Sequence, residues 1–192
     1  MMEIRFNRGE IYKKKISNMA DVISQIGLEV TKRPPSIVGI CEVENKKVVE
    51  DLITDEKLKN HNYEIVHYDS PDNRGIDVGM IYNKDVFMVK NSNSHEVYIT
   101  DNNSNKRRNT RDQLVVSGYL QGELMHFIVN HWPSRGADET KRIAAAEVNN
   151  SIIDSLREKY NDPKIITMGD FNDDPFDTVS YTHLTLPTNV AV

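Results

Sequence analysis

Cysteine is almost missing from this chain. Cys41 is the single one in 192 residues, so no internal disulfide forms and no Cys/His set has zinc spacing. Long apolar runs are missing too. None approaches the roughly 20 residues that cross a bilayer, so no membrane span is expected. The opening "MMEIRFNRGEIYKKK" lacks the apolar centre of a signal peptide, which leaves the compartment open. Nor is there a basic excess. Lys and Arg number 24 against 29 Asp and Glu, a net charge of −5. That excludes a surface basic throughout, but not a local basic patch or a bound cation that attracts a polyanion. Internal repeats and low-complexity segments are also lacking. What remains is an ordinary globular composition, 38% hydrophobic and 28% charged, with the length of one domain or part of a larger one.

Periodicity gives alternating helices and strands. Ile16, Met19, Ile23 and Ile26 recur at helical spacing, and Gly27 can end that helix. "SIVGICEV" (Ser36–Val43) reads as a buried strand. Asn45 can cap a second helix with Val48, Val49, Leu52 and Ile53 on one face. "YEIVHY" and "IDVGMIY" read as strands joined by the turn "DSPDNRG". "VFMVK" and "HEVYI" read as two shorter strands, and "DQLVVSGYL" and "ELMHFIVN" as a hairpin around "QG". Asp138 to Tyr160 reads as a long helix and "KIITMG" as a last buried strand. Thr100 to Thr110, "TDNNSNKRRNT", reads as a loop. Hairpins mixed with helices predict an α+β arrangement of sheets layered with helices, not a simple parallel wound sheet.

Three strand ends carry polar groups that folding does not require. They are Glu42 and Glu44 after the first strand, Asn130 and His131 after the hairpin, and Asp170, Asn172, Asp173 and Asp174 after the last. Singly, each has a bland explanation: a solvated strand-end charge, a loop anchor before Trp132-Pro133, or an Asx turn. Together they predict a site at one sheet edge. Hard oxygen donors of this kind suit Mg²⁺ or Mn²⁺, which take one or two carboxylates plus waters and phosphate oxygens.

The segments "ICEVEN", "RGIDVGMIYN", "VNHWPSRG" and "MGDFNDDP", in this order and spacing, resemble the endonuclease/exonuclease/phosphatase superfamily, and most closely a bacterial branch of it. The resemblance covers about residues 10 to 178. It implies the deoxyribonuclease-I-like fold, a four-layer sandwich of helices, sheet, sheet and helices. It also implies divalent-metal-dependent hydrolysis of phosphodiesters by in-line attack of water, in a protein that is monomeric when complete. DNA or RNA is the first substrate expected. Phosphomonoesters, lipid-headgroup diesters or a non-catalytic binding role are the alternatives. Glu42 would ligate the metal. His131 would act beside the scissile phosphate as acid or donor. Asp170 would orient the attacking water, and Asn172 would donate to a phosphoryl oxygen. Asn130, Arg111 and Arg74 are candidate phosphate or substrate contacts. Asp77 either bonds His131 or caps its strand. Trp132 and Ala144–Ala146 read as packing.

The departures from the family pattern matter as well. Members begin with a strand ending in a metal-site asparagine, and Asn7 follows no such strand. Members continue past GDFN to an Asp-His pair, and His183 comes too soon to supply it. Residues 1–178 are therefore expected to be a partial domain that is inactive by itself. Between Val179 and Val192 no Asp, Glu, Lys or Arg occurs. The adapter codons GTC TCT TAT ACA CAT CTG ACG CTG CCG ACG, used in transposase-based sequencing libraries, translate as VSYTHLTLPT. Residues 179–192 are expected to be such an artefactual, non-native tail.

Overall fold

The computed structural model describes residues 7–100, 106–174, 176, 177 and 179. The first helix, α1 (Arg8–Gln25), starts at Asn7, whose side chain accepts from Gly9 N while Glu10 returns a bond to the cap. This capping box gives Asn7 a purely local role. A single-turn helix, α2 (Leu28–Thr31), follows Gly27. Next come β1 (Ile37–Val43), α3 (Lys46–Ile53), β2 (Tyr63–His67) and β3 (Asp77–Asn83). Asn45 caps α3 as its position predicts, accepting from Val48 N.

The chain then forms β4 (Phe87–His95), the short ribbon strands β5 (Ile99–Thr100) and β6 (Arg107–Arg108), and the hairpin β7 (Gln113–Leu120) and β8 (Glu123–His131). Gln121 and Gly122 both have positive φ, 50° and 90°, as a tight two-residue hairpin turn demands. Helix α4 (Glu139–Lys159), capped by Asp138, leads into β9 (Lys164–Asp170). One expectation changes here. "VFMVK" and "HEVYI" are not two short strands, because β4 runs unbroken through the polar stretch Asn91–Ser94. Its pairing with β7 continues to His95↔Gln113, so the ladder carries it rather than an apolar pattern.

Beside the two-stranded β5-β6 ribbon, two larger sheets result, in orders β1-β3-β2 and β4-β7-β8-β9. All their pairings are antiparallel except β8 with β9. Strand alternation sorts the side chains into layers. Ile40, Val43 and Ile81 face α1 and α3, packing on Ile16, Ala20, Ile23, Val49 and Leu52. Val78, Met80 and Tyr82 of the first sheet meet Leu114, Val116, Phe127 and Val129 of the second. On the far side, Val115 and Ile128 pack on Ile152 and Ile153 of α4. The order is helices, sheet, sheet, helix, the four-layer α+β arrangement expected. A further cluster under the loops joins Trp132 to Ala145, Ala146 and Val179. The other residues of the expected non-native tail, 180–192, lie outside the described residues.

Candidate active site

The ends of β1, β8 and β9 meet at one rim of the sandwich. β8 and β9 run parallel with Asn130 opposite Gly169 and His131 opposite Asp170. That close pairing needs Gly169. Its φ is 127°, and a Cβ there would lie 2.0 Å from the Asn130 carbonyl oxygen. β1 lies across the sandwich, where the Cys41 thiol donates to the same Asn130 carbonyl at 3.2 Å.

Glu42 sits in a β-bulge. The register of β1 on β3 jumps between Cys41 and Val43, and Glu42 takes φ 60°. A bulge re-aims one side chain out of the alternation, and it leaves Glu42 exposed at the strand end. Glu42 and the exposed Asp170 both act on His131, and both are hard oxygen donors of the kind a divalent cation takes.

His131 is buried, with Nε2 3.9 Å from Asp170 Oδ2. Burial pushes its imidazole below the usual range. Arg111 and Arg74 push the same way, against the pull of Asp170 and Glu42. Nδ1 is buried without a partner among the described residues, so the neutral ring's proton is best placed on Nε2, facing Asp170. Asp170 itself is held by its other oxygen. Oδ1 accepts from Asn172 N at 2.9 Å, the Asx turn that ends β9. The strand-stopping turn and the aimed carboxylate are thus one feature. Asn172, at φ 49°, sends Nδ2 to the Trp132 carbonyl at 2.9 Å. An amide nitrogen has two donors, so one remains.

The two arginines differ. Arg111 is no surface arginine but a buried one, 6% exposed. Its Nη2 donates to the Trp132 carbonyl at 2.6 Å, and its Nη1 to Asp72 Oδ2 at 3.3 Å. Burial lowers its pKa and Asp72 opposes this. Arg74 is exposed, with Nε 3.5 Å from Asp72 Oδ1. Both lie close enough to His131 to bias its protonation.

One expected contact is corrected. Asn130 is fully buried and points to the α4 side, away from the rim. Its Nδ2 donates to Thr167 Oγ1 at 2.9 Å and Asn149 Oδ1 at 3.2 Å, and its Oδ1 accepts from Trp132 Nε1 at 3.0 Å. Such a satisfied amide is a structural strut, not a phosphate ligand. Strand parity held the signal: Asn130 shares a face with Ile128, and His131 with Val129. Asp77 bonds neither His131 nor a strand end alone. It accepts from His67 Nε2 at 3.1 Å and from Ser70 N and Oγ at 2.8 and 2.7 Å. His67 and Asp77 form with Asp69 the one group of three metal-capable side chains among the described residues. Asp77 pairs with Val43 in the ladder, so this group lies at the same end of the sheet as Glu42. Asp72, Arg108 and Lys141, beside Arg111, went unnoticed in the sequence. The basic run "NKRR" was the available signal.

The sequence matches the Endonuclease/Exonuclease/phosphatase family over residues 5–187, and the chain belongs to that family. The match reaches into the stretch expected to be a non-native tail. Among curated proteins no sequence matches. Several solved structures share the fold. A truncated Caenorhabditis elegans TDP2 superposes with a TM-score of 0.61 at 17% identity, over 86% of this chain and 58% of that one. An endonuclease/exonuclease/phosphatase family protein from Bacteroides thetaiotaomicron gives 0.64 at 15% identity, over 91% and 59%. A mannosyl-6-phosphatase from the same organism gives 0.63 at 13%, over 91% and 62%. The chain thus spans less than two thirds of the length of each.

Proposed function

We propose that this member of the Endonuclease/Exonuclease/phosphatase family serves a divalent-metal-dependent phosphoesterase that hydrolyses phosphodiesters by in-line attack of water, with a nucleic acid as first candidate substrate. The observation that carries the reading is the pairing of His131 with Asp170 on adjacent parallel strands, beside the bulged Glu42. Phosphoryl transfer asks mainly for positioning and charge stabilisation, and these residues offer both.

Glu42 would hold the cation, which when bound supplies charge stabilisation to the phosphoryl oxygens. The remaining roles belong to the chain's own groups. Asp170, with Oδ1 fixed by the Asx turn, presents Oδ2 to a water and accepts its proton as the new P–O bond forms, while the in-line ester P–O bond breaks and the departing alkoxide takes a proton from solvent. His131, whose imidazole burial pushes below the usual range, donates from Nε2 to a phosphoryl oxygen. The lowered pKa favours this donor role over that of an imidazolium acid. Asn172 contributes its remaining Nδ2 donor to the same phosphate. Arg111 and Arg74 add positive charge behind His131, which suits a polyanion despite the net charge of −5.

The test uses the full-length protein with Mg²⁺ or Mn²⁺ on supercoiled plasmid, bis-p-nitrophenyl phosphate and p-nitrophenyl phosphate. Nicking and diester cleavage that stop with EDTA are expected. Cleavage of the monoester alone would overturn the diesterase assignment in favour of a phosphomonoesterase. Metal-independent binding without turnover of any substrate would favour a non-catalytic module instead.

A further inference from the structure

We infer that a basic cavity next to His131 is a second phosphate subsite, so that the preferred substrate carries another phosphate beside the scissile one. This rests on the phosphoesterase reading and narrows its substrate class. The cavity, of about 260 Å³, is lined by Arg74, Arg108, Arg111 and Lys141, with Thr110 and, among the described residues, a single carboxylate, Asp72. Its volume is several times the roughly 30 Å³ share of one liquid water, room for a phosphate group. Neither His131, Asp170, Asn172 nor Glu42 lines it, so it is distinct from the reacting cluster. The two adjoin through one atom: the Trp132 carbonyl oxygen accepts from Arg111 on the cavity side and from Asn172 on the reaction side.

Arg111 is the built part of the subsite. Its guanidinium is more than nine-tenths buried, and Nε has no hydrogen-bond partner among the described residues. A buried cation with an unmet donor is costly unless something completes it. Asp72 completes it in part, but that carboxylate also accepts from Arg74 N at 2.9 Å and lies 3.5 Å from Arg74 Nε. One buried carboxylate is thus shared between two arginines, in a cavity that Arg108 and Lys141 also line. In a chain of net charge −5, this concentration of positive charge marks an anion site. Arginine forks and a lysine point charge are the groups that recognise phosphate. The same chemistry occurs along a nucleic-acid strand, where a neighbouring phosphate follows each scissile one, and in small bisphosphorylated molecules.

The experiment compares binding of thymidine 3′,5′-bisphosphate and thymidine 5′-monophosphate to the full-length protein by calorimetry in EDTA. A charge-assisted contact of this kind predicts roughly tenfold tighter binding of the bisphosphate. Arg108→Ala and Lys141→Ala change side chains outside the hydrophobic core, and each should erase most of the gap. Equal affinities, or a gap that survives in both variants, would overturn the subsite. Competition by an octathymidylate and by fructose 1,6-bisphosphate separates the sources. Displacement by the oligonucleotide alone supports a strand-binding subsite, displacement by the sugar bisphosphate supports a small-molecule one, and displacement by neither overturns the proposal. Turnover of bis-p-nitrophenyl phosphate, which has one phosphate, is scored separately. An affinity gap without turnover of this diester or of p-nitrophenyl phosphate defeats the phosphoesterase reading and leaves the subsite standing. Turnover without a gap defeats only the subsite.

Discussion

Replacing Asn130 with alanine separates a structural strut from a substrate contact. In the structure its amide joins three elements: Thr167 on β9, Asn149 on α4, and the Trp132 indole beyond β8. Thr167 Oγ1 keeps its own bond to Asn149 Oδ1 at 2.9 Å, so that pair survives the change. The Trp132 Nε1–H does not. Trp132 is 1% exposed, so its N–H has no access to water, and an unmet buried donor costs about 1–3 kcal/mol. The void left by the amide adds a smaller amount, for a total of roughly 2–4 kcal/mol. At about 2–4 °C per kcal/mol for a domain of this size, the melting midpoint should fall by roughly 5–15 °C. Differential scanning calorimetry reads the fall, and steady-state kinetics below the new midpoint should show KM nearly unchanged. An unshifted midpoint with a KM raised tenfold would refute the strut and return Asn130 to the phosphate.

Other substitutions probe the same rim. Gly169→Ala forces a Cβ to within 2.0 Å of the Asn130 carbonyl oxygen at a φ of 127°. It should cost about 2–5 kcal/mol by urea denaturation and lower activity by parting His131 from Asp170; a wild-type denaturation midpoint would contradict the close pairing. Glu42→Gln should raise the Mn²⁺ concentration for half-maximal rate by roughly tenfold or more, in the range of other lost metal contacts. An unchanged metal dependence would remove Glu42 from the cation site. Burial lowers the folded-state pKa of His95, His126 and His131. The unfolded chain therefore binds more protons near the reference histidine pKa of about 6.5. Stability should be complete above that pH and decline as the pH falls through it towards the lowered folded values. A melting midpoint that stays flat or rises between pH 7 and pH 5 would contradict those burials.

The architecture was legible wherever a segment's own pattern agreed with its neighbours. Asn45 before an amphipathic run, Gln121-Gly122 between apolar strands, and Asp138 before α4 each signal an element by local chemistry alone. β4 was not legible beyond Lys90, because Asn91–Ser94 takes its strand conformation from pairing with β7. Of the candidate site, Glu42, His131, Asp170 and Asn172 stood out as polar residues at the ends of buried strands. The bulge that lifts Glu42 out could not be read, since it is a register shift against β3. Asn130 was misplaced because adjacency in sequence hid its opposite face. The burial of Arg111 depends on Asp72, 39 residues away, a long-range pairing that one sequence does not announce. The His67–Asp77 bond is hidden for a related reason: it bridges two strands across a loop.

Asp170→Asn tests the central claim most directly. The amide oxygen can still accept from Asn172 N, so the turn that ends β9 should survive and the melting midpoint should move little. What is lost is the charge that faces His131 and would accept the water's proton. With saturating Mn²⁺ and bis-p-nitrophenyl phosphate, the full-length protein should turn over, and the variant should be slower by roughly 10²–10⁴-fold, the usual contribution of an acid–base group. Equal rates for the two proteins, with both folded and metal-loaded, would contradict the assignment of Asp170 to the water.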